Sequence, residues 1–387
     1  MQDHTAQSSV QRTTSWETLA RLQHAIVRRR GRFIVVDLAV PHRTLSTSTR
    51  NGGQSDEVHH LVNHQSCEAT GHDARFEFIT GQGMEAYHAA VCKEVGLSPD
   101  NTAVMGTAAN MNYAAIVSKR HDDLEVVAIV TAGVESNATC AGDPAVWHET
   151  PDGFVKLPAG TINTMVLSNT PVTSGTLAQV VMIMTEGKTA ALRRLAAPSR
   201  YSADLATGTG TDQYCVAAPI DGRKPLTTAS THMKFGEIIG LAVREATLEA
   251  LRWQNGLEPS YTRGVIHALG RFGFTEQKLF DRLSELLDPT DFELIKKNSK
   301  SVLYEPHVGA ASHAIAAVLD RGRYGILPQS CVQDALAQQA AILAANLAAK
   351  PDNWRKYYAE LQASQGDVNE LVITAIALGW GDKWRAS

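Results

Sequence analysis

Leu124-Glu-Val-Val-Ala-Ile-Val-Thr131 is almost unbroken apolar chain, and it runs directly into Thr131-Ala-Gly-Val-Glu-Ser-Asn137, a loop of small and polar residues. An apolar run of this length reads as a strand covered on both faces. Two further loops of the same texture sit against strand-like runs. Gly160-Thr-Ile-Asn163 opens the run Ile162 to Ser168, and Gly208-Thr-Gly-Thr-Asp212 precedes Gln213 to Ala218. A fourth, Thr231-His-Met-Lys-Phe-Gly-Glu237, opens a long amphipathic helix predicted from Phe235 to Trp253. Polar loops at several ends of a rigid apolar scaffold are the arrangement of an enzyme site more than of a scaffold protein.

Phe33 to Val40, Val58 to Val62 and Thr102 to Thr107 also read as strands. Ser15 to Val27, Met84 to Val95 and Thr176 to Leu195 carry helical spacing. Gly96 follows the second of these helices as a C-terminal stop. Strands and helices interleave unevenly, which predicts an α/β or α+β fold: a central mixed sheet with flanking helices. After Gly256 the strand signals vanish. Ala/Leu-rich helical segments follow, punctuated by Pro259, Pro289, Pro306, Pro328 and Pro351. The reading is a polar disordered tail at residues 1–14, a catalytic domain at 15–255, and a mainly α-helical C-terminal domain at 256–387.

Composition narrows the function. The 387 residues carry a net charge of −4 with both signs dispersed, and the only basic run is Arg28-Arg29-Arg30, read as a solvated helix end. Nucleic acid is not an expected partner. No stretch reaches the ~18 apolar residues of a membrane span. Five widely spaced cysteines without a CxxC argue for a reducing cytoplasm and against structural zinc or disulfides.

The loops hold the chemistry. In Gly208-Thr209-Gly210-Thr211-Asp212 the glycines let backbone N–H groups converge on an oxyanion, and Asp212 ends the loop. It is neither a dinucleotide fingerprint nor a Walker loop. Glu135, Ser136, Asn137 and Asp143 offer carboxylates, a hydroxyl and a carboxamide, or else cap turns. Asn163, after Thr161, is either an Asx-turn residue or an amide donor to a substrate carbonyl. Glu186-Gly187-Lys188 interrupts an apolar helix, which signals a bend or close packing. His232 sits at a helix start, where the dipole favours a neutral imidazole able to act as a base. His59, His60 and His64 have i, i+4 spacing but no HExxH. No Gly-x-Ser-x-Gly elbow is present.

Taken in order, these segments resemble the adenosylcobinamide amidohydrolase family. The matching pieces are Leu45-Ser-Thr-Ser-Thr-Arg-Asn-Gly-Gly53, Leu61-Val-Asn63, Met105-Gly-Thr-Ala-Ala-Asn110, Thr131-Ala-Gly-Val with Ser136-Asn137, and Ala141-Gly-Asp143. Gly160-Thr-Ile-Asn163, Glu186 with Lys188-Thr-Ala-Ala-Leu192, Ala206 to Asp212, and His232 through Gly236-Glu237 complete the set. Gly187 stands where the family pattern has Ala, and Glu135 lengthens its loop by one residue. The resemblance implies hydrolysis of the amide joining a corrin side chain to aminopropanol, giving adenosylcobyric acid. The corrinoid is then the substrate and no cofactor is implied.

Amide hydrolysis needs a base, oxyanion donors and an acid for the departing amine. The expected base is Asp212 or Glu186, and the expected acid His232 or Lys188. Expected substrate contacts come from Ser136, Asn137, Asp143, Thr161, Asn163, the residues Gly208, Thr209, Gly210 and Thr211, and Glu237. A metal-assisted version would use Asp143, Asp212 and His232 as ligands. Rival readings are a non-catalytic corrinoid-binding protein and an amidohydrolase of a smaller amide. The helical half suits an apolar substrate surface, a lid or a homo-oligomer interface alike.

Overall fold

A computed structural model describes residues 15–145, 160–362 and 367–385; the tail expected at Met1 to Thr14 lies outside them. Two compact units divide the chain: Met1–Arg194 with Thr207–Asn255, and Leu195–Ala206 with Gly256–Ser387. In the first unit the strands are β1 (Glu17–Arg21), β2 (Ala25–Arg30), β3 (Phe33–Leu38), β4 (His42–Ser46), β5 (Gly53–Ser55), β6 (His60–Gln65), β7 (Thr102–Thr107), β8 (Ala115–His121), β9 (Leu124–Ala132), β10 (Ala138–Thr139), β11 (Ile162–Ser168), β12 (Gly208–Thr209) and β13 (Gln213–Pro219). Its described α-helices are α1 (Ala74–Val95), α2 (Ser174–Arg194) and α3 (Lys234–Asn255).

The strands form two mixed sheets, β1-β2-β3-β6-β7 and β5-β4-β13-β11-β9-β8, with β10 and β12 as a small extra pair. Alternation along each strand explains the layering. Val27, Ile34, Val36, Leu61 and Met105 of the first sheet share one core with Val127, Ile129, Met165 and Cys215 of the second. The opposite face of the first sheet, with Phe33, Val35 and Val62, is covered by Ile79, Tyr87, Val91 and Cys92 of α1. Helix α3 packs along β9 and β8 on the far side of the second sheet. The fold is α+β, with mixed sheets and flanking helices. Burial pushes the Cys215 thiol up to about 12, so this cysteine is core and not nucleophile.

Two expectations are corrected. Ser15 to Val27 is not a helix: β1 and β2 are an antiparallel pair, and β2 continues onto β3 with Val27 opposite Val36. Apolar residues spaced for a helix also satisfy period two here, and Ala25 and Val27 alternate inward. The arginine triplet accordingly ends a strand. Arg28 pairs with Asp37, Arg29 with Glu17, and the Arg28 and Arg30 guanidinium groups lie over the Trp16 ring. Of the two readings of Gly187, a bend or close packing, close packing is seen: a Cβ there would stand 3.0 Å from the Gly240 carbonyl oxygen of α3.

The three histidines also separate. His60 bonds Asp37 at 2.9 Å. His64 is buried, stacks on Phe33 at 4.5 Å between ring centroids, and lies 3.0 Å from the Tyr87 hydroxyl. Burial, then the charges of Arg32 and Arg75, lower its pKa from 6.5 to about 3. The ring is therefore neutral when folded but takes up a proton near 6.5 when unfolded. Stability is full above that pH and falls by about 1.4 kcal/mol per pH unit as pH drops toward the folded value. Urea unfolding should show wild type losing about 2 kcal/mol more than His64→Phe between neutral pH and pH ~5; parallel curves would refute this.

The second unit is helical: α4 (Pro259–Thr262), α5 (Val265–Leu269), α6 (Glu276–Leu286), α7 (Pro289–Lys297), α8 (Ser299–Leu303), α9 (Pro306–Arg323), α10 (Gln329–Leu347), α11 (Trp354–Gln362) and α12 (Val368–Lys383). Pro259, Pro289 and Pro306 occupy first helical positions, where the missing N–H costs nothing. Leu195–Ala206 belongs with these helices: His267 Nε2 is 2.6 Å from the Leu195 carbonyl oxygen, and Arg271 donates to the Ala203 carbonyl. No described helix is long and apolar enough to cross a membrane.

Candidate active site

Strand register brings the distant loops together. β11 lies parallel to β13, with Asn163 beside Gln213, and antiparallel to β9, with Asn163 beside Thr131. The loops entering β11 and β13 and the loop leaving β9 therefore emerge at one end of the second sheet. The small β10 to β12 pair ties them again, with Ala138 opposite Thr209.

Asp212 is the hub. Its Oδ1 accepts from the Thr209 hydroxyl at 2.6 Å and the Ile162 N–H at 2.9 Å. Its Oδ2 accepts from the Thr209 N–H at 3.1 Å and from the Lys188 ammonium, which α2 delivers from the side. Both ions are mostly buried, Lys188 at 14% and Asp212 at 19% side-chain exposure, so the pair is screened far less than a surface one. Gly208 is the floor of the pair. A Cβ there would overlap Asp212 Oδ2 and approach Lys188 Nζ to 2.7 Å. Gly208→Ala should therefore push the ions apart and cut turnover about 10²-fold, with far-ultraviolet circular dichroism unchanged. Wild-type turnover in that variant would show that the contact is not needed.

The rest of the loop is laced internally, which revises the expected oxyanion donors. The Thr209 N–H serves Asp212, the Gly210 N–H donates to the Asn137 carbonyl at 3.3 Å, and the Thr211 N–H points to the Thr209 hydroxyl at 3.4 Å. Asn137 is buried and donates to the Gly160 carbonyl at 3.0 Å and the Thr211 hydroxyl at 3.3 Å. Thr161 donates to the Thr211 carbonyl at 2.6 Å. Asn163 is neither an Asx-turn residue nor a substrate donor. Fully buried, it donates to Asn63 Oδ1 at 2.8 Å and the Gly106 carbonyl at 3.2 Å, and so ties the two sheets. Asn63 continues the chain by donating to the Thr131 hydroxyl.

A cavity of about 700 Å³ opens at this sheet end, lined among others by Gly106, Thr161, Thr211, Asp212 and Gln213 together with Arg75 and Phe76 of α1. That volume is in the usual range for small-molecule sites. Of the expected site residues, Thr161, Gly210, Thr211 and Asp212 line it, Lys188 and Thr209 are hydrogen-bonded to Asp212, Asn137 to Gly160 and Thr211, and Gly208 lies against Asp212.

Four expected residues stand apart. Glu186 is exposed on α2, since two residues turn a helix side chain by about 200° from Lys188. His232 is exposed just before α3. Glu237 is exposed and pairs with Lys234 at 2.7 Å. Asp143 caps a turn, accepting from the Cys140 N–H at 2.7 Å and the Thr139 hydroxyl at 3.1 Å. The ligand set Asp143, Asp212 and His232 is accordingly not assembled, and among the described residues no three His, Cys, Asp or Glu side chains converge as a metal site. Ser136 is exposed on the loop that carries Asn137. Arg75 and Gln213, both lining the cavity, were not among the expected residues.

The adenosylcobinamide amidohydrolase (CbiZ) family model matches residues 17–259, the whole of the sheet-bearing unit's described loops and strands. The chain belongs to the adenosylcobinamide amidohydrolase family. Within curated proteins it is 32% identical over 183 residues to an uncharacterized protein of Methanocaldococcus jannaschii, covering 44% of this chain and 71% of that one. Two solved structures show fainter likeness. The PH0078 protein of Pyrococcus horikoshii gives a TM-score of 0.32 at 12% identity, over 61% of this chain and 82% of that one. The L-aminopeptidase D-Ala-esterase/amidase of Ochrobactrum anthropi gives 0.27 at 12% identity, over 61% and 81%. Residues 260–387 lie beyond the family match.

Proposed function

We propose that the first unit hydrolyses the amide between the corrin propionyl arm and aminopropanol in adenosylcobinamide, releasing adenosylcobyric acid and 1-amino-2-propanol. The observation that carries this reading is Asp212, which lines a cavity in a chain of this family and is hydrogen-bonded behind it to Lys188 and the Thr209 hydroxyl. A hydroxyl, a carboxylate that accepts its proton and a third group holding the carboxylate are the elements of an activated nucleophile.

In this reading Asp212 is the base, acting through the hydroxyl it already holds. Thr209 passes its proton to Asp212 Oδ1 and takes one from water. The water oxygen bonds to the amide carbon, the carbon–nitrogen bond breaks, and Lys188 gives a proton to the departing amine. The proton on Asp212 then returns to Lys188 across their hydrogen bond, so the site is restored. The protein acts as a soluble-phase enzyme on a small molecule, without nucleic acid, and no resident metal is assigned.

Incubation of the full chain with adenosylcobinamide, followed by mass spectrometry, tests the reading. Acid and aminopropanol should appear in equal amounts. Corrinoid binding without product would favour a binding protein. Cleavage of short linear amides with adenosylcobinamide left intact would favour a smaller substrate, which the cavity volume also admits.

A further inference from the structure

We propose that Arg75 forms an oxygen-anion subsite in this cavity, holding first the oxyanion that develops on the amide carbonyl and then the carboxylate of the acid product. The inference rests on the hydrolase reading and supplies what that reading lacks, since the N–H groups of the Thr209 to Thr211 turn are engaged internally.

Arg75 is the second residue of α1 and lines the cavity beside Gly106, Asp212 and Gln213. A Cβ on Gly106 would stand 2.8 Å from its Cζ and 2.9 Å from both Nη atoms. Equal distances mean that the guanidinium lies flat on the backbone of β7, a place only glycine leaves open. That backbone is fixed on both sides. The Gly106 N–H donates to Gln213 Oε1 at 2.9 Å, and its carbonyl accepts from Asn163. Gln213 follows Asp212 in sequence, and Arg75, Asp212 and Gln213 all line the one cavity.

Among the described residues Arg75 has no ion-pair partner, although the carboxylates of Asp73 and Glu68 line the same cavity. The Arg75 Nε is buried without a partner, and its Cζ sits 5.3 Å from the centre of the Tyr87 ring. Lys188, which reaches the cavity only through Asp212, is paired with that carboxylate. Glu68 also lines the cavity but accepts from Gln65 at 3.2 Å. Arg75 is half-buried, and a guanidinium there without an ion-pair partner is open to a counter-charge. Its planar fork fits a carboxylate in two-point fashion. The substrate amide is neutral; negative charge appears on its oxygen only as water adds, and it stays on the acid product. A group that meets charge only then accelerates the step and not the binding.

Adenosylcobyric acid is the probe, bound to the full chain by calorimetry near neutral pH, with adenosylcobinamide turnover followed in parallel. In Arg75→Gln the acid should bind at least about tenfold more weakly, and kcat should fall about 10²–10³-fold. KM for the neutral amide should stay within about threefold. Arg75→Lys keeps charge without the fork and should lie between the two, and it carries the test alone if Arg75→Gln does not fold. Acid affinity and kcat both within about threefold of wild type in the folded variant would overturn the subsite, as would a wild type that does not bind the acid. A wild type that binds the acid through Arg75 yet turns over no adenosylcobinamide supports the subsite and removes the hydrolase reading. Turnover that survives Arg75→Gln removes the subsite and leaves that reading standing.

Discussion

Asp212→Asn should lower adenosylcobinamide turnover about 10²–10⁴-fold, the range for loss of a positioned base. The carboxylate accepts from four donors, and an amide can serve only the side on which its oxygen lies. With Oδ1 kept for Ile162 and the Thr209 hydroxyl, the new NH₂ would face the Thr209 N–H and the Lys188 ammonium, donor against donor. Thr209 would lose its proton acceptor and Lys188 its counter-ion. Lys188→Met should cost a similar factor, because it removes the acid and leaves Asp212 sheltered without its cation. The double variant should be little worse than either single one, as expected of groups that act as a unit. Thermal unfolding within a few degrees of wild type must accompany the loss for it to count as chemistry. Near-normal turnover in folded Asp212→Asn would take this residue out of the mechanism.

Arg271→Met should destabilise the helical unit by about 3–5 kcal/mol. Arg271 and Asp320 form a two-point pair at 2.6 Å on both arms, with side-chain exposures of 5% and 11%. Removing the cation strands a carboxylate that solvent barely reaches and leaves the Ala203 carbonyl without this donor. Arg323 stands 3.7 Å from Asp320 and softens the loss. Arg271→Met with Asp320→Leu should recover most of it, because an apolar pair of similar volume does not pay the desolvation of two ions. Denaturant unfolding of the single and double variants measures both, and equal stability of wild type and Arg271→Met would show the pair to be idle.

Long periodic segments were legible in the sequence because packing agrees with local pattern. Leu124 to Thr131, Ile162 to Ser168 and the α3 helix appear where alternation or helical spacing put them. Ser15 to Val27 misled because a short run of apolar residues satisfies both periods, and only its pairing with Phe33–Leu38 decides between them. The loops were legible as a set, since Gly, Thr, Asn and Asp cluster where backbone must turn and polar groups must be satisfied. Their individual roles were not. Asn163 looks like a loop donor, yet its partners Asn63 and Gly106 are distant in sequence. Glu186 and Lys188 look equivalent, and only the helix phase sends one outward and the other to Asp212. Arg75 gave no local signal, standing in a polar stretch; the one hint was the glycine of Met105-Gly-Thr107, whose missing side chain makes its bed.

Turnover of adenosylcobinamide in water enriched in oxygen-18 shows whether water attacks the amide carbon under Asp212 control. Attack of water on the amide carbon predicts adenosylcobyric acid carrying one heavy oxygen per turnover and unlabelled aminopropanol, with both signals lost in Asp212→Asn. Unchanged adenosylcobinamide, or label found in the amino-alcohol fragment, would contradict it.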